Sequence, residues 1–541
     1  MAGNYAENLR KEGMGMRIKL WVRYISTICL YLFLAGMIVV GISEKRNLHT
    51  DEVLTYLLAN NTYDEEITLA PEMGKTYDPA ASPWMNVMTV QQNQRFDYEN
   101  VWKKQAADVH PPLYYTLVHT VCSLFPGVYS KWFGASVNLV FGLFTLYVTR
   151  KLVRALTGQE WIVFLCSVFF CVSSGVLSSM TFLRMYVMTM FWCTLFTWIF
   201  VKNRKHTNWK FYLEITTVAT MGALTHYYFV VYVFSMCVAW GIYLLWNHRW
   251  KDLGLSVGSM IIAGSLTIAI FPASISQSIG GGYRGVDTLD NLTDLSVEGI
   301  WYRLKNCYKL LNQHLFGNCF PILLAITIVG VIFWSISYRK TTSPDLRDKE
   351  RENWSGWVLA VVPSVLYFLI ISKIAVYITE RYFHPIYVLL MILGVALPLS
   401  LLRHVKGYKL LVPLFCIVLL GGTLFHWKDN WNYLYRSTGT FLQTTAQYGD
   451  QDALCVFEYA FELPTIFCEA QNYKSITFVS TRDLDKLDDL DLAADNGMIL
   501  ILGHGREVEP VSSAINARWP QLTNSIELGS YASTTTFYLE P

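Results

Sequence analysis

Net charge, a cysteine framework and any internal repeat are what this 541-residue chain lacks. Lys and Arg number 43 against 41 Asp and Glu, and the resulting charge of +2 gives no reason to expect a nucleic-acid partner. The eleven cysteines show no metal-ligand or disulfide spacing. Most, including Cys29, Cys166, Cys171, Cys193 and Cys237, fall inside apolar runs, where a thiol acts as a small hydrophobe. Cys455 and Cys468 stand apart from those runs and could pair with each other. No low-complexity segment is present. Gly503-His504-Gly505 lacks a complete glycine fingerprint, which favours an ordinary loop over a phosphate-binding turn.

Hydrophobic residues, by contrast, make up 53% of the chain, with a mean hydropathy of +0.30. They cluster in runs of bilayer-spanning length, about 20 residues each. Eleven spans are expected, at 22–42, 132–149, 161–180, 183–201, 209–226, 228–246, 255–273, 318–336, 356–373, 384–402 and 409–425. Basic clusters alternate along them as the positive-inside rule requires: Arg10 to Lys19, Arg150 to Arg154, Lys202 to Lys205, Arg249 and Lys251, Arg339 to Arg351, and Arg403 to Lys409. This predicts a cytoplasmic N-terminus (1–21) and a transmembrane region (22–426). External loops are expected at 43–131 and 274–317, with a shorter one at 374–383. The first run lacks a small-residue cleavage site and reads as a retained anchor. The apolar stretch 112–125 is too short to span and reads as an interfacial helix opened by Pro111-Pro112. Beyond 427 the pattern changes to short strands at 453–457, 475–479, 498–502 and 535–539, with helix-like segments at 459–471 and 506–518. This predicts a small external α/β domain over 427–541.

Acidic residues gather beside the membrane in two motifs. Leu48-His49-Thr50-Asp51-Glu52 follows the first span, and Asp108-Val109-His110-Pro111-Pro112-Leu113 ends the first external loop. A carboxylate emerging into the interface is partly desolvated, which strengthens it as a base. The bland alternative makes Thr50 or Asp51 an N-cap of a helix through Val53, Leu57 and Leu58. Tandem prolines would hold Asp108 and His110 rigidly, whether for chemistry or as a turn anchored by Tyr114 and Tyr115. Arg184 and Arg381, with Tyr382 beside the latter, sit at external span ends where the positive-inside rule disfavours arginine. Bidentate binding of a lipid-linked phosphate would explain both; for Arg381 the alternative is an ion pair with Glu380. His226 and Tyr227 could line the same cavity, and Arg284 in Gly280-Gly281-Gly282-Tyr283-Arg284-Gly285 could close over a phosphate or lie in a mobile linker.

These residues resemble the GT-C glycosyltransferases, and within them the protein O-mannosyltransferase group (glycosyltransferase family 39) and its bacterial relatives. The acidic pair after span one, the Asp-Val-His-Pro-Pro-Leu string and about eleven spans carry the likeness. It implies a polytopic α-helical membrane protein that transfers a sugar, with inversion, from a polyprenyl-phosphate donor to an external acceptor hydroxyl. Asp51 would be the catalytic base, with Glu52 and Asp108 supporting the acceptor or the sugar and His110 beside them. The chain departs from the group in two respects. Tyr114-Tyr115 stand where Gly-Lys is usual, and no β-trefoil is inserted in an external loop. No cofactor is required by this chemistry, although Asp51, Glu52 and Asp108 offer oxygens to a divalent cation. The expected partners are the lipid-linked donor, an acceptor of protein, glycan or lipid, and membrane lipid, with no nucleic acid. With no retention signal, a bacterial plasma membrane is the expected location. The rival function is a transporter or flippase of lipid-linked saccharides, which would need polar residues near the midplane of several spans; few are present.

Overall fold

The computed structural model describes residues 2–61, 72–279, 290–340, 343–425, 427, 429–490, 492, 494–503, 508–531 and 534–541. Eight helices among them are long and apolar enough to cross a membrane. These are Arg23–Glu44 (the apolar part of α1, Ala2–Glu44), Lys131–Thr157, Tyr228–Trp246, Trp250–Ile270, Phe320–Lys340, Glu350–Ile374, Glu380–Leu402 and Tyr408–Phe425. A ninth span results if the helices Glu160–Val172 and Ser174–Thr181, bent by 54° at their break, count as one. The remaining two expected spans are occupied by shorter helices, Tyr186–Asn203 and Trp209–Ala223. Polar residues such as Lys202 in the first and Lys210 and Glu214 in the second interrupt their apolar character.

Short helices fill the loop after α1. They are α2 (Thr50–Asn60), α3 (Ser82–Met88), α4 (Tyr98–Ala107) and α5 (Leu113–Ser123). As the prolines predict, α5 begins directly after Pro112. Long helices follow: α6 (Lys131–Thr157), α7 (Glu160–Val172), α8 (Ser174–Thr181), α9 (Tyr186–Asn203), α10 (Trp209–Ala223), α11 (Tyr228–Trp246) and α12 (Trp250–Ile270). Helix α9 packs against α6 and α10, and α10 packs against α12.

The C-terminal segment forms most of a six-stranded sheet, ordered β1-β3-β2-β4-β6-β5. Its strands are β1 (Thr76–Tyr77), β2 (Asp452–Phe457), β3 (Ser475–Ser480), β4 (Met498–Gly503), β5 (Asn524–Tyr531) and β6 (Thr534–Glu540). The central trio β3-β2-β4 is parallel, as expected of continuous apolar strands covered on both faces. Strand period two divides their side chains. Ala453, Cys455, Phe457, Ile476, Phe478, Ile499 and Ile501 join the hydrophobic cluster of the helical bundle. Leu454, Val456, Val479, Leu500 and Leu502 face the helix Val508–Arg518 through Val511 and Ile515. The sequence predicts a small external α/β domain over 427–541. The observed sheet shares its core with the bundle and takes β1, and the ring of Trp84 against Phe478, from the first loop. No disulfide joins Cys455 to Cys468.

Candidate active site

The site forms where the N-terminus of α2, the turn before α5, the turn between α8 and α9, and the segment before the helix Tyr387–Leu402 converge. Its geometry begins with the cap of α2. His49, not Thr50 or Asp51, is the N-cap: its Nδ1 accepts the Asp51 N–H at 3.0 Å, and Glu52 Oε2 accepts the His49 N–H at 2.7 Å. Nδ1 must therefore carry the lone pair.

That reciprocal cap separates the two acidic residues. Glu52 is wholly buried, with 0% of its side chain exposed, and both its oxygens are occupied. Oε1 meets Lys45 Nζ at 2.9 Å and accepts the Leu183 N–H at 2.7 Å, while Oε2 serves the cap. The Lys45 ammonium also donates to the Tyr433 carbonyl at 2.5 Å. Glu52 thus ties the end of α1, α2, the α8–α9 turn and the segment after the last long helix together; it does not join the arginine cluster, contrary to the supporting catalytic role expected of it. Asp51 does, with 19% of its side chain exposed and its Oδ2 paired to Arg381 Nη1. Burial pushes the Asp51 carboxyl up, but Arg184 and Arg381, then His49 and His110, outweigh it and hold the group well below the usual carboxylate range. The expectation that desolvation makes Asp51 a stronger base is therefore reversed while Arg381 is on it.

Arg184 is the hub. Its Nη1 donates to the Asp51 carbonyl, Thr55 Oγ1 and Tyr115 OH, each at 3.1 Å, and its Nη2 lies 3.2 Å from His110 Nε2. Guanidinium can only donate, so His110 Nε2 accepts and Nδ1–H donates to Asp108 Oδ2 at 2.9 Å. Burial, opposed by Asp108, holds His110 below its ordinary value, in keeping with a neutral ring. Asp108 is lifted by burial, but its bond to His110 and that ring's charge, the Val109 N–H and Arg184 together lower it further, and it remains a carboxylate. His110 with Asp108 therefore positions Arg184. The Nε–H groups of Arg184 and Arg381 are both buried with no hydrogen-bond partner, two cationic donors lacking an acceptor.

The remaining predicted residues lie around this core. Tyr382 is a shelf, its ring 5.4 Å from the Arg381 guanidinium and edge-on to Tyr228. Glu380 does not pair with Arg381; its Oε1 accepts from Asn432 Nδ2 at 3.0 Å. His226 is buried between His110 and Tyr186, and Tyr227 OH reaches the rim by donating to Gln277 Oε1 at 2.6 Å. Gln277 in turn donates to the Asp108 carbonyl at 2.6 Å. Arg284 and the glycines around it, like His504 and Gly505, lie outside the described residues. Sequence reasoning missed Lys45, His49 and Gln277. His49 carried a signal, since Glu52 follows it at capping-box spacing; Lys45 and Gln277 carried none. Among the described residues no three His, Cys, Asp or Glu side chains are grouped so as to hold a metal ion, and the three carboxylates are engaged by Arg381, Lys45 and His110.

No protein-family profile and no curated protein matches the chain. Among solved structures it is similar to the crystal structure of the Archaeoglobus fulgidus oligosaccharyltransferase tethered with an acceptor peptide containing the NVT sequon via a disulfide bond. The similarity has a TM-score of 0.41 at 10% identity, and covers 90% of this chain and 68% of that one. A likeness this distant assigns the chain to no family.

Proposed function

We propose that this chain is a multipass membrane glycosyltransferase of the GT-C type, moving a hexose from a polyprenyl-phosphate donor to an acceptor hydroxyl on the external face of a bacterial plasma membrane. One observation carries the reading: Asp51, the Asp108–His110 pair, Arg184 and Arg381 come from four separate segments and meet in one cluster, where both arginines retain an unpartnered Nε–H. The phosphodiester that joins the sugar to a long lipid supplies the acceptors these donors lack, through charge-assisted bonds. As the donor phosphate engages Arg381, the guanidinium leaves Asp51, whose proton affinity then rises. Asp51 takes the proton of the acceptor hydroxyl while that oxygen bonds to the anomeric carbon. The bond from that carbon to the phosphate oxygen breaks, and its electron pair stays on the departing lipid phosphate. Arg184 and Arg381 offset the charge that gathers there. Attack opposite the leaving group inverts the anomeric centre. The scheme as written requires no metal ion.

Purified protein supplied with radiolabelled polyprenyl-phosphate hexoses tests this directly. Sugar release or transfer is expected from the wild type; binding of the lipid donor with outward release of the intact molecule and no cleavage would favour a flippase instead. The charged groups meet at helix ends rather than at mid-span, which supports the enzyme reading.

A further inference from the structure

Helices α9 to α12 each have one end at the candidate site and one end away from it, and a second binding region lies toward the far end. A cavity of about 350 Å³ opens between them, lined by Phe200, Ile215, Trp240, Gly241, Val257 and Ile261 among others. Its walls are almost wholly apolar; Trp240 Nε1 donates to Ser256 Oγ at 3.0 Å, so the indole's polar edge is already satisfied. The cavity opens sideways: Val257 and Ile261 line it yet remain 52% and 65% exposed on the outer face of α12. From Trp250 to Ile261 the helix rises roughly 16 Å, about half a hydrocarbon core. The α12 residues that line the cavity, Leu253 to Ile261, span about 12 Å of that rise, within one leaflet.

What surrounds its far end identifies the occupant. Trp209, Trp246 and Trp250 project there at 69%, 73% and 64% exposure, as tryptophans do at a headgroup boundary. Six cations, Lys202, Arg204, Lys205, Lys210, Arg249 and Lys251, stand at this end against Asp252, Glu352 and Glu214. The Arg249 guanidinium lies 5.9 Å from the ring of the cavity-lining Trp240, so charge and apolar wall adjoin. The active-site end of α9 lies roughly 21 Å away along the helix, from Tyr186 to Phe200, which puts the opening in the opposite leaflet from the proposed donor phosphate. We propose that this cavity binds an acyl chain of an anionic phospholipid from the leaflet at the α11–α12 hairpin, with the headgroup held in the field of the hairpin cations. This site is independent of the transferase reading.

The test uses the full-length protein in detergent micelles, with phosphatidylglycerol and phosphatidylcholine carrying brominated acyl chains that quench nearby tryptophan. Phosphatidylglycerol is expected to bind at least about fivefold tighter than phosphatidylcholine. Gly241→Phe fills the cavity, because a Cβ there meets only Leu253 Cδ1 at 4.0 Å, and should weaken phosphatidylglycerol binding by a similar factor without lowering the melting temperature. Ile261→Trp, at the open lip, makes the same test if Gly241→Phe does not fold. Lys210→Gln with Lys251→Gln should remove the preference between the two lipids. Equal affinity for both lipids overturns the proposal, as does binding unchanged by the filling variants. Displacement of the phospholipid by polyprenyl phosphate overturns it too, by making the cavity the donor's tail groove.

Discussion

Asp51 and Arg381 form an ion pair that donor binding is proposed to break, and the consequences are specific to those side chains. Arg381→Gln removes a charge-assisted contact worth about 1.5–3 kcal/mol, so donor affinity should fall roughly 10- to 150-fold in a lipid-donor binding assay. Arg184→Gln should lose more, since the same guanidinium also holds Tyr115, Thr55 and the Asp51 carbonyl in place. The pH dependence follows from the depressed Asp51 carboxyl. A carboxylate lowered on folding lends stability above its unfolded value of about 3.9, and that contribution is lost only as pH falls through the still lower folded value. The acid limb of kcat/KM, which reports free-enzyme groups, should therefore fall below about pH 5. A limb near neutrality would show that Asp51 is not so held.

At the scale of elements, the capped start of α2 and the sheet show what a sequence discloses and what it withholds. Strands β2, β3, β4 and β6 were legible because runs such as Met498 to Leu502 are apolar and bounded by turn residues. Strand β5 was not: Asn524–Tyr531 is an exposed edge strand with an irregular register between Glu527 and Gly529, so no burial pattern marks it. The two residues of β1 owe their pairing wholly to β3, about four hundred positions along the chain. Both arginines and the Asp-Val-His-Pro-Pro string were legible from charge in the wrong place. The separate roles of Asp51 and Glu52 were not, because adjacent residues on a helix point in different directions and only packing reveals which one is buried. Glu52→Gln leaves Lys45 as an uncompensated buried cation, and should cost about 3–5 kcal/mol in unfolding measurements, with lost activity following from lost structure. Asp51→Asn should lower the melting temperature less than Glu52→Gln does, because the Asp51–Arg381 pair keeps 19% and 12% of its side chains exposed whereas the Glu52–Lys45 pair is wholly buried. Within the sheet region, burial lifts Glu469 to about 7 against the hydroxyls of Tyr473 and Thr536. A carboxyl raised on folding is most stable when protonated. That stability is complete below about pH 4.3 and lost as pH rises through about 7, on the order of 3 kcal/mol in all. Thermal scans from about pH 5 to pH 8 should show the melting temperature falling, and Glu469→Gln should flatten the slope.

Among the described residues the larger hydrophobic core runs from the helices into the inner face of the sheet, and a smaller one lies between the sheet's outer face and the helix Val508–Arg518. Deleting residues 450–541 removes β2 to β6 and would uncover the apolar bundle surface that the inner face of β2, β3 and β4 covers, leaving Trp84 without Phe467 and Phe478. The truncated chain should aggregate on size exclusion rather than persist as a smaller enzyme. A soluble, active truncation would show the sheet to be dispensable. The same continuity places the acidic cleft, the sheet and the tail on one end of the bundle, and the lysine-rich turns of α9–α10 and α11–α12 on the other. The account's central claim is that this cleft cleaves a sugar–phosphate bond with Asp51 as base. Its most direct test is release of radiolabelled sugar from polyprenyl-phosphate donors by purified wild type and Asp51→Asn, with donor binding measured on both. The account predicts turnover by the wild type and a loss of about 10²- to 10⁴-fold in the variant, with the donor still bound. Equal turnover by the two proteins would contradict it.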